Sequence, residues 1–152
     1  MKAPIERCFD LSRSIDLHML STQRTNEKAI AGRTSGLICL NETVTWKAKH
    51  FGISQTLTTK ITQMKSPDYF VDEMMQGTFK SIFHHHQFEA KSNGTLMIDR
   101  FNYEVPLGIM GRLFDKLILK RYMKGFLLER NELIKSVAEG DKWKDFLSHS
   151  KV

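Results

Sequence analysis

The sequence predicts an α+β fold in which a curved antiparallel sheet wraps around a long C-terminal helix. Three observations predict this fold. Apolar residues recur at spacings of three and four near the start of the chain and again for about thirty residues after Pro106. Between Glu27 and Pro106 they alternate with polar residues, which is typical of strands with one wet face. Short turns separate several of these segments, so successive strands should be antiparallel.

Two short helices are predicted before the sheet. Pro4 suits the first turn of a helix that carries Ile5, Cys8 and Phe9 on one stripe. Ser12 or Ser14 could cap a second helix, which runs to about residue 20. An exit loop follows, and then at least five strands are delimited by Gly77, by Ser92-Asn93-Gly94 and by other turn residues. We expect these strands at residues 43–49, 55–63, 69–76, 78–90 and 95–105.

The long helix is predicted from Gly108 to about Glu139, and Gly140 is a natural C-terminal stop. The chain has 152 residues, which suits one domain and leaves no room for a second. We assign residues 1–140 to this domain and residues 141–152 to a C-terminal tail that could form a final turn. The most economical way to bury an apolar helix stripe and one face of a twisted sheet is to wrap the sheet around the helix.

Composition and charge exclude several classes of protein. The formal net charge is +6, but acidic and basic residues are mixed along the predicted long helix, which is typical of a solvated helix face rather than a nucleic-acid surface. The two cysteines, Cys8 and Cys39, are too far apart in sequence for a CxxC motif, so we expect no disulfide and a reducing, cytoplasmic location. No signal peptide and no transmembrane segment is predicted.

Several motifs occur in a specific order along the chain. The segment Ala3–Asp10 begins the first helix, and residues 79–88 read FKSIFHHHQF after Gly77. Further matching positions are Thr95, Asp99, Tyr103, Pro106, Gly108, Gly111 and Arg130. Together these residues resemble the START-like, or SRPBCC, superfamily, and in particular a bacterial branch sometimes labelled cell-division protein. The resemblance covers nearly the whole chain up to about Glu139.

This resemblance implies the helix-grip fold of the birch-pollen-allergen-like proteins, with a lipophilic cavity between sheet and helix. Its members include lipid carriers and polyketide cyclases, so the superfamily does not fix a function. Such domains usually begin with a strand before the first helix, whereas only Met1 and Lys2 precede Ala3 here. Either this strand lies outside the given sequence, or the sheet is shortened and exposes an edge, and we expect about six strands. The edge left exposed could pair with a second copy, so either a monomer or a homodimer is expected.

A ligand-binding cavity is expected to be lined by inward-facing residues of the strands and of the long helix. The predicted lining residues are Trp46, Phe70, Met74, His84, His86, Phe88, Met97, Asp99, Phe101, Tyr103, Phe114, Ile118 and Tyr122. Phe126 belongs to the same stripe. Apolar stripes are usually core, and only the helix-grip geometry would make some of these residues a cavity wall.

Four polar residues are candidates for chemistry in this cavity: His84, His86, Asp72 and Asp99. His84 and His86 share one face of a strand, while His85 points to the other face and is expected to be exposed. The two inward histidines could chelate zinc with a third ligand from His18, Asp72 or Asp99. We favour a hydrogen-bond network instead, with no metal and no cofactor, because no metal-binding motif is present.

Three functions are compatible with these patterns. We expect a binding protein, a carrier or sensor for a small lipophilic or aromatic molecule. The alternative is an enzyme of the cyclase, dehydratase or hydrolase kind that uses the cavity histidines and aspartates as acid and base. A third possibility is a protein–protein interaction module that uses the sheet edge or the basic helix face.

Overall fold

A computed structural model describes residues 1–147 and gives the following order of elements. Two short helices, α1 (Ile5–Ser12) and α2 (Ile15–Ser21), are followed by a 3-10 turn at Gln23–Thr25. The six strands are β1 (Lys28–Gly32), β2 (Thr43–His50), β3 (Ile53–Lys65), β4 (Tyr69–Gln76), β5 (Ser81–Lys91) and β6 (Gly94–Glu104). The C-terminal helices are α3 (Gly108–Phe114), α4 (Lys120–Glu139) and α5 (Trp143–Leu147).

The strands form one antiparallel sheet whose order is the order of the chain, from β1 to β6. This sheet, the two N-terminal helices and the long C-terminal helix confirm the predicted α+β helix-grip fold. The alternating segments become strands because one face meets the helix and the other meets water. Val44, Trp46 and Ala48 of β2 are buried, for example, whereas the intervening lysine, Lys47, is exposed.

The long helix differs from the expected one because it is not α-helical throughout. Between α3 and α4 the residues Asp115–Leu119 form a π-helical segment, so the chain continues in one direction but with a wider turn. This segment shifts the row of helix side chains that faces the sheet by one residue. Leu119 is buried with 8% of its surface exposed, and Ile118 is 47% exposed.

The two N-terminal helices fill the end of the sheet that the long helix leaves open. Phe9 of α1 packs edge-on against Phe70 and Phe88, with ring centroids 5.6 and 5.5 Å away. At the same end, Met1 exchanges two backbone hydrogen bonds of 2.8 Å with Thr95 at the start of β6. The core is therefore tightly filled at this end of the sheet, and a cavity can lie only outside this region.

The region expected to be a C-terminal tail contains α5, whose residues contact the domain. The Arg7 guanidinium lies 4.2 Å from the ring centroid of Trp143, and the Trp143, Phe146 and Leu147 side chains pack against the core. The predicted tail also includes residues 148–152, which lie outside the residues that the structure describes. No helix within residues 1–147 is long and apolar enough to cross a membrane.

Candidate ligand-binding site

A cavity of about 530 Å³ lies between the concave face of the sheet and the long helix. Its wall is mostly apolar and comes from β2 to β6 on one side and from the helix residues between Met110 and Arg130 on the other, with further residues such as Ile15 and His18 from the N-terminal helices. Aromatic side chains line the cavity from both sides, among them Phe101 on the sheet and Tyr122 on the helix. Polar groups contribute the smaller part of the surface of this wall.

Seven of the thirteen predicted lining residues reach the cavity: Trp46, Phe70, His84, His86, Phe101, Phe114 and Tyr122. Asp72 and Phe126 reach it as well. The strand residues do so because their parity on β2, β4, β5 and β6 directs them to the concave face. The helix residues do so because they lie on the side that faces the sheet.

The other six predicted lining residues lie elsewhere for identifiable reasons. Phe88 and Met97 are covered by α1, where Phe88 contacts Phe9 and the Ser12 hydroxyl lies 3.6 Å from the sulfur of Met97. Ile118 is turned outward by the π-helical segment, and the Tyr103 hydroxyl donates to Asp115 at the edge of the sheet. The remaining two are Met74, which packs over Gly77, and Asp99, which lies behind His86.

The register of three strands brings the four polar candidates together. On β5, His84 pairs with Asp72 of β4, and His86 pairs with Asp99 of β6. Antiparallel partners on one face have Cβ atoms about 5 Å apart, so all four side chains converge on one point of the concave face. His18, the other candidate from the sequence, is not part of this cluster.

The ring of His86 is held between two carboxylates. Its Nδ1 lies 2.6 Å from Oδ1 of Asp99, and its Nε2 lies 3.2 Å from Oδ2 of Asp72. The ring also stacks on Phe70, with centroids 4.3 Å apart, and only 1% of the side chain is exposed. Both ring nitrogens therefore face acceptors, and only the doubly protonated imidazolium can donate to both.

The two carboxylates determine the charge of this ring. Burial disfavours the charged imidazolium, but the hydrogen bonds to Asp72 and Asp99 outweigh it and raise the pKa of His86. Burial also tends to raise the pKa of Asp99, yet the nearby His84 ring, the hydrogen bond from His86 and the charge of Arg130 hold that pKa far below its usual range. Asp72 follows the same pattern, and its pKa is lowered.

His84 is neutral, in contrast to the protonated His86. Burial, followed by repulsion from protonated His86, lowers the pKa of His84 to about 4. Its Nδ1 is 3.9 Å from Oδ2 of Asp72. Its Nε2 lies 3.4 Å from Oδ1 of Asp99 but outside hydrogen-bonding geometry, and it has no hydrogen-bond partner among the described residues. A neutral imidazole with an unpartnered buried nitrogen therefore lies in the cavity wall.

The long helix completes the cluster with two residues that were not predicted to belong to the site. The Asn131 amide donates to Oδ2 of Asp99 at 2.6 Å, and Arg130 Nη1 lies 3.9 Å from the same oxygen. Protonated His86 and Arg130 balance Asp72 and Asp99, so the buried cluster is neutral overall. One signal was available: Arg130 interrupts an otherwise apolar row at a spacing of four between Phe126 and Ile134.

Two further polar pairs contribute to the cavity wall. Nε2 of His18 lies 3.1 Å from Oε1 of the buried Glu27, and its ring packs at a tilt against that of Trp46, with centroids 4.2 Å apart. Near the other end, Nδ1 of His50 and the Tyr122 hydroxyl are 2.8 Å apart. Each pair uses one ring nitrogen in a hydrogen bond, and among the described cavity histidines His84 is the one with a buried ring nitrogen that lacks a partner.

Within residues 1–147, Asp72, His84 and His86 also form a group that could hold a metal ion, since one ligand atom of each lies within 4.8 Å of the others. Two imidazoles and a carboxylate suit Zn²⁺ or another first-row divalent ion. However, His86 already uses both of its nitrogens in bonds to Asp72 and Asp99. A proton on His86 accounts for this geometry without a metal, so the absence of a metal stays our prediction.

The sequence was compared with known families, and residues 18–126 match the family described as polyketide cyclase/dehydrase and lipid transport. The chain belongs to this family. The match covers more than half of the chain and confirms the resemblance to the SRPBCC helix-grip superfamily. No curated protein matches. The family and the fold indicate a domain that binds a hydrophobic ligand.

Solved structures resemble the fold at low sequence identity. TTHA0849 from Thermus thermophilus has 16% identity and a TM-score of 0.69, with 91% of this chain and 94% of that chain covered. Ginseng major latex-like protein 151 from Panax ginseng has 16% identity and a TM-score of 0.62 over 92% and 93%. Protein Ms6760 from Mycobacterium smegmatis has 12% identity and a TM-score of 0.61 over 90% and 85%.

Proposed function

We propose that this protein is a carrier or sensor that binds one small lipophilic or aromatic molecule in the cavity, with a polar end of the molecule next to His84. The observation that carries the proposal is a mostly apolar cavity with one unpartnered buried nitrogen in its wall. A hydroxyl group of a ligand could donate to this nitrogen, or a carbonyl could accept from it, depending on the tautomer.

The size of the cavity supports a small molecule rather than a peptide. Its volume of about 530 Å³ lies within the roughly 300–1,000 Å³ that is usual for ligand pockets. Leaving this space without a ligand would be costly, because lining atoms lose dispersion contacts when no partner atom is present. A bound apolar molecule would restore those contacts, and the polar cluster would orient it.

Filling the cavity with a side chain tests this proposal. Ala48 is buried in the wall on β2, whereas Ala90 is exposed near the end of β5. We expect Ala48→Phe to weaken binding of the fluorescent probe 8-anilinonaphthalene-1-sulfonate about tenfold or more, because the phenyl ring occupies the same space. The matched variant Ala90→Phe should bind the probe like the unmodified protein.

Native mass spectrometry of the freshly purified protein provides the second measurement. A small molecule that co-purifies with the unmodified protein and with Ala90→Phe, but not with Ala48→Phe, would identify the natural ligand. Equal probe binding by all three proteins would contradict the proposal, because the probe would then bind outside the cavity.

A specific observation also favours a second candidate, an acid–base enzyme of the cyclase or dehydratase kind. His86 lies between two carboxylates, and the side chain of one of them, Asp72, retains 22% exposure and lines the cavity. Asp72 as a base and a proton stored on His86 could therefore act together on a bound molecule.

The two candidates differ in what happens to the ligand. A dehydratase would release the captured molecule lighter by one water molecule, and Asp72→Asn would retain it unchanged. A carrier would release the same mass from both proteins. Mass spectrometry of the ligand extracted from each protein after incubation separates these outcomes.

A further inference from the structure

An exposed apolar surface surrounds the mouth of the cavity. We call it the mouth patch and define it by Phe51, Ile53, Leu107, Ile109, Leu113 and Leu117. The exposed fractions of Leu107, Ile109 and Leu117 are 76%, 77% and 67%, which is high for large apolar side chains. Single exposed leucines are common, but a group of this size on one surface indicates a site of interaction.

The mouth patch draws on two parts of the chain that meet beside the opening. Phe51 lies in the turn between β2 and β3, and its ring centroid is 5.7 Å from that of Phe114 at the end of α3. Phe51, Leu107 and Phe114 also line the cavity. The patch therefore borders the opening of the cavity, and a surface that covered the patch would cover the opening as well.

Basic residues flank the mouth patch. Five of them lie between α3 and the first turns of α4, all exposed: Arg112, Lys116, Lys120, Arg121 and Lys124. None of the five forms an ion pair within residues 1–147. The one acidic residue of this stretch, Asp115, accepts the hydrogen bond of Tyr103. The stretch therefore presents unneutralised positive charge.

This charge selects among the surfaces that could cover the patch. Two copies that met through this patch would bring ten like charges together, which disfavours self-association. An anionic lipid surface instead offers an apolar layer for the leucines and negative headgroups for the lysines and arginines. We infer that the mouth patch docks on the surface of an anionic lipid bilayer, with the opening of the cavity facing the membrane. This inference does not depend on the identity of the ligand.

Vesicle co-sedimentation tests the inference. We expect the unmodified protein to bind vesicles of phosphatidylcholine with 30% phosphatidylglycerol and to bind pure phosphatidylcholine at least tenfold more weakly. Replacing Ile109, Leu113 and Leu117 by glutamine should reduce binding to the anionic vesicles at least tenfold. Glutamine keeps the helix propensity, and none of these three residues lines the cavity, so folding and probe binding should be unchanged.

A control variant and a charge variant complete the test. Leu96→Gln removes an exposed leucine at the opposite end of β6 and should bind vesicles like the unmodified protein. Lys116→Gln with Lys120→Gln should weaken binding to anionic vesicles by about fivefold for each lysine, and added salt should reduce the difference.

Three outcomes would overturn the inference. The first is equal binding of the triple variant and the unmodified protein to anionic vesicles, and the second is no vesicle binding by either protein. The third is a dimer of the unmodified protein in sedimentation velocity that the triple variant loses, since the patch would then be an interface between copies. Probe binding by the cavity is measured separately, so failure of vesicle binding leaves the proposed carrier function intact.

Discussion

Three consecutive histidines on β5 have three different environments because neighbouring strand residues face opposite sides and the concave face is uneven. His85 points away from the helix, stacks on Tyr69 and is partly exposed. His84 is buried and neutral, with one unpartnered nitrogen. His86 is buried and charged because two carboxylates hold it. Residue type alone therefore does not determine the protonation of these rings.

The contrast between His85 and His86 gives a prediction at the residue scale. His86→Leu should lower the free energy of unfolding by about 3–5 kcal/mol, because it leaves the buried carboxylates of Asp72 and Asp99 without their shared partner. His85→Leu should change it by less than about 0.5 kcal/mol, since that ring lies on the outer face. Urea denaturation at pH 7 measures both. Equal effects would mean that the cluster does not stabilise the sheet.

At the scale of the element, the π-helical segment controls which helix residues face the sheet. Phe114 and Leu119 both line the cavity although they are five residues apart, whereas an α-helix would place Phe114 and Ile118 on one face. The wider turn also turns Ile118 outward beside the mouth patch. The one extra residue in the wider turn thus places Leu119 in the cavity lining and Ile118 at the exposed rim.

A pair of adjacent substitutions tests this geometry. Leu119→Ala should lower the free energy of unfolding by about 2 kcal/mol because a buried isobutyl group is lost. Ile118→Ala should lower it by less than about 1 kcal/mol because that side chain is half exposed. Thermal or urea unfolding of both variants gives the comparison. A larger loss for Ile118→Ala would indicate a continuous α-helix instead.

The same segment illustrates what sequence could and could not predict. Alternation on β2 and the apolar stripe of the helix were sufficient for the fold, since both patterns follow from which face is buried. The position of Leu119 was not predictable, because spacings of three and four presuppose an α-helix. Phe88 and Met97 have the parity of cavity residues, but α1 covers them, and strand parity does not report which element lies above a strand.

At the scale of the whole molecule, the cluster makes stability depend on pH in both directions. The folded-state pKa of His84, about 4, lies below its ordinary value of 6.5, so the unfolded chain binds a proton first and stability falls as the pH drops from 6.5 toward 4. His86 has a raised pKa, so its contribution is complete below 6.5 and is lost as the pH rises through the folded-state value. The lowered pKa values of Asp72 and Asp99 matter only below about 4.

We therefore expect maximal stability near pH 6.5, with a decrease on both sides. The acidic side should lose about 3 kcal/mol between pH 6.5 and 4 through His84 alone. His84→Leu should remove most of that decrease, and His85→Leu should retain it. Urea unfolding at intervals between pH 4 and 9 measures the profile. An unchanged acidic limb in His84→Leu would show that His84 is not the group responsible.

The sequential strand order has a consequence for how the molecule folds. Each strand pairs with the strand made immediately before it, so the sheet can form through short loop closures that cost little entropy. The long helix is synthesised after all six strands, and it closes the cavity when it packs over the concave face of the sheet. A ribosome-bound intermediate would therefore expose an open concave sheet, and a lipophilic molecule could be enclosed during the final folding step.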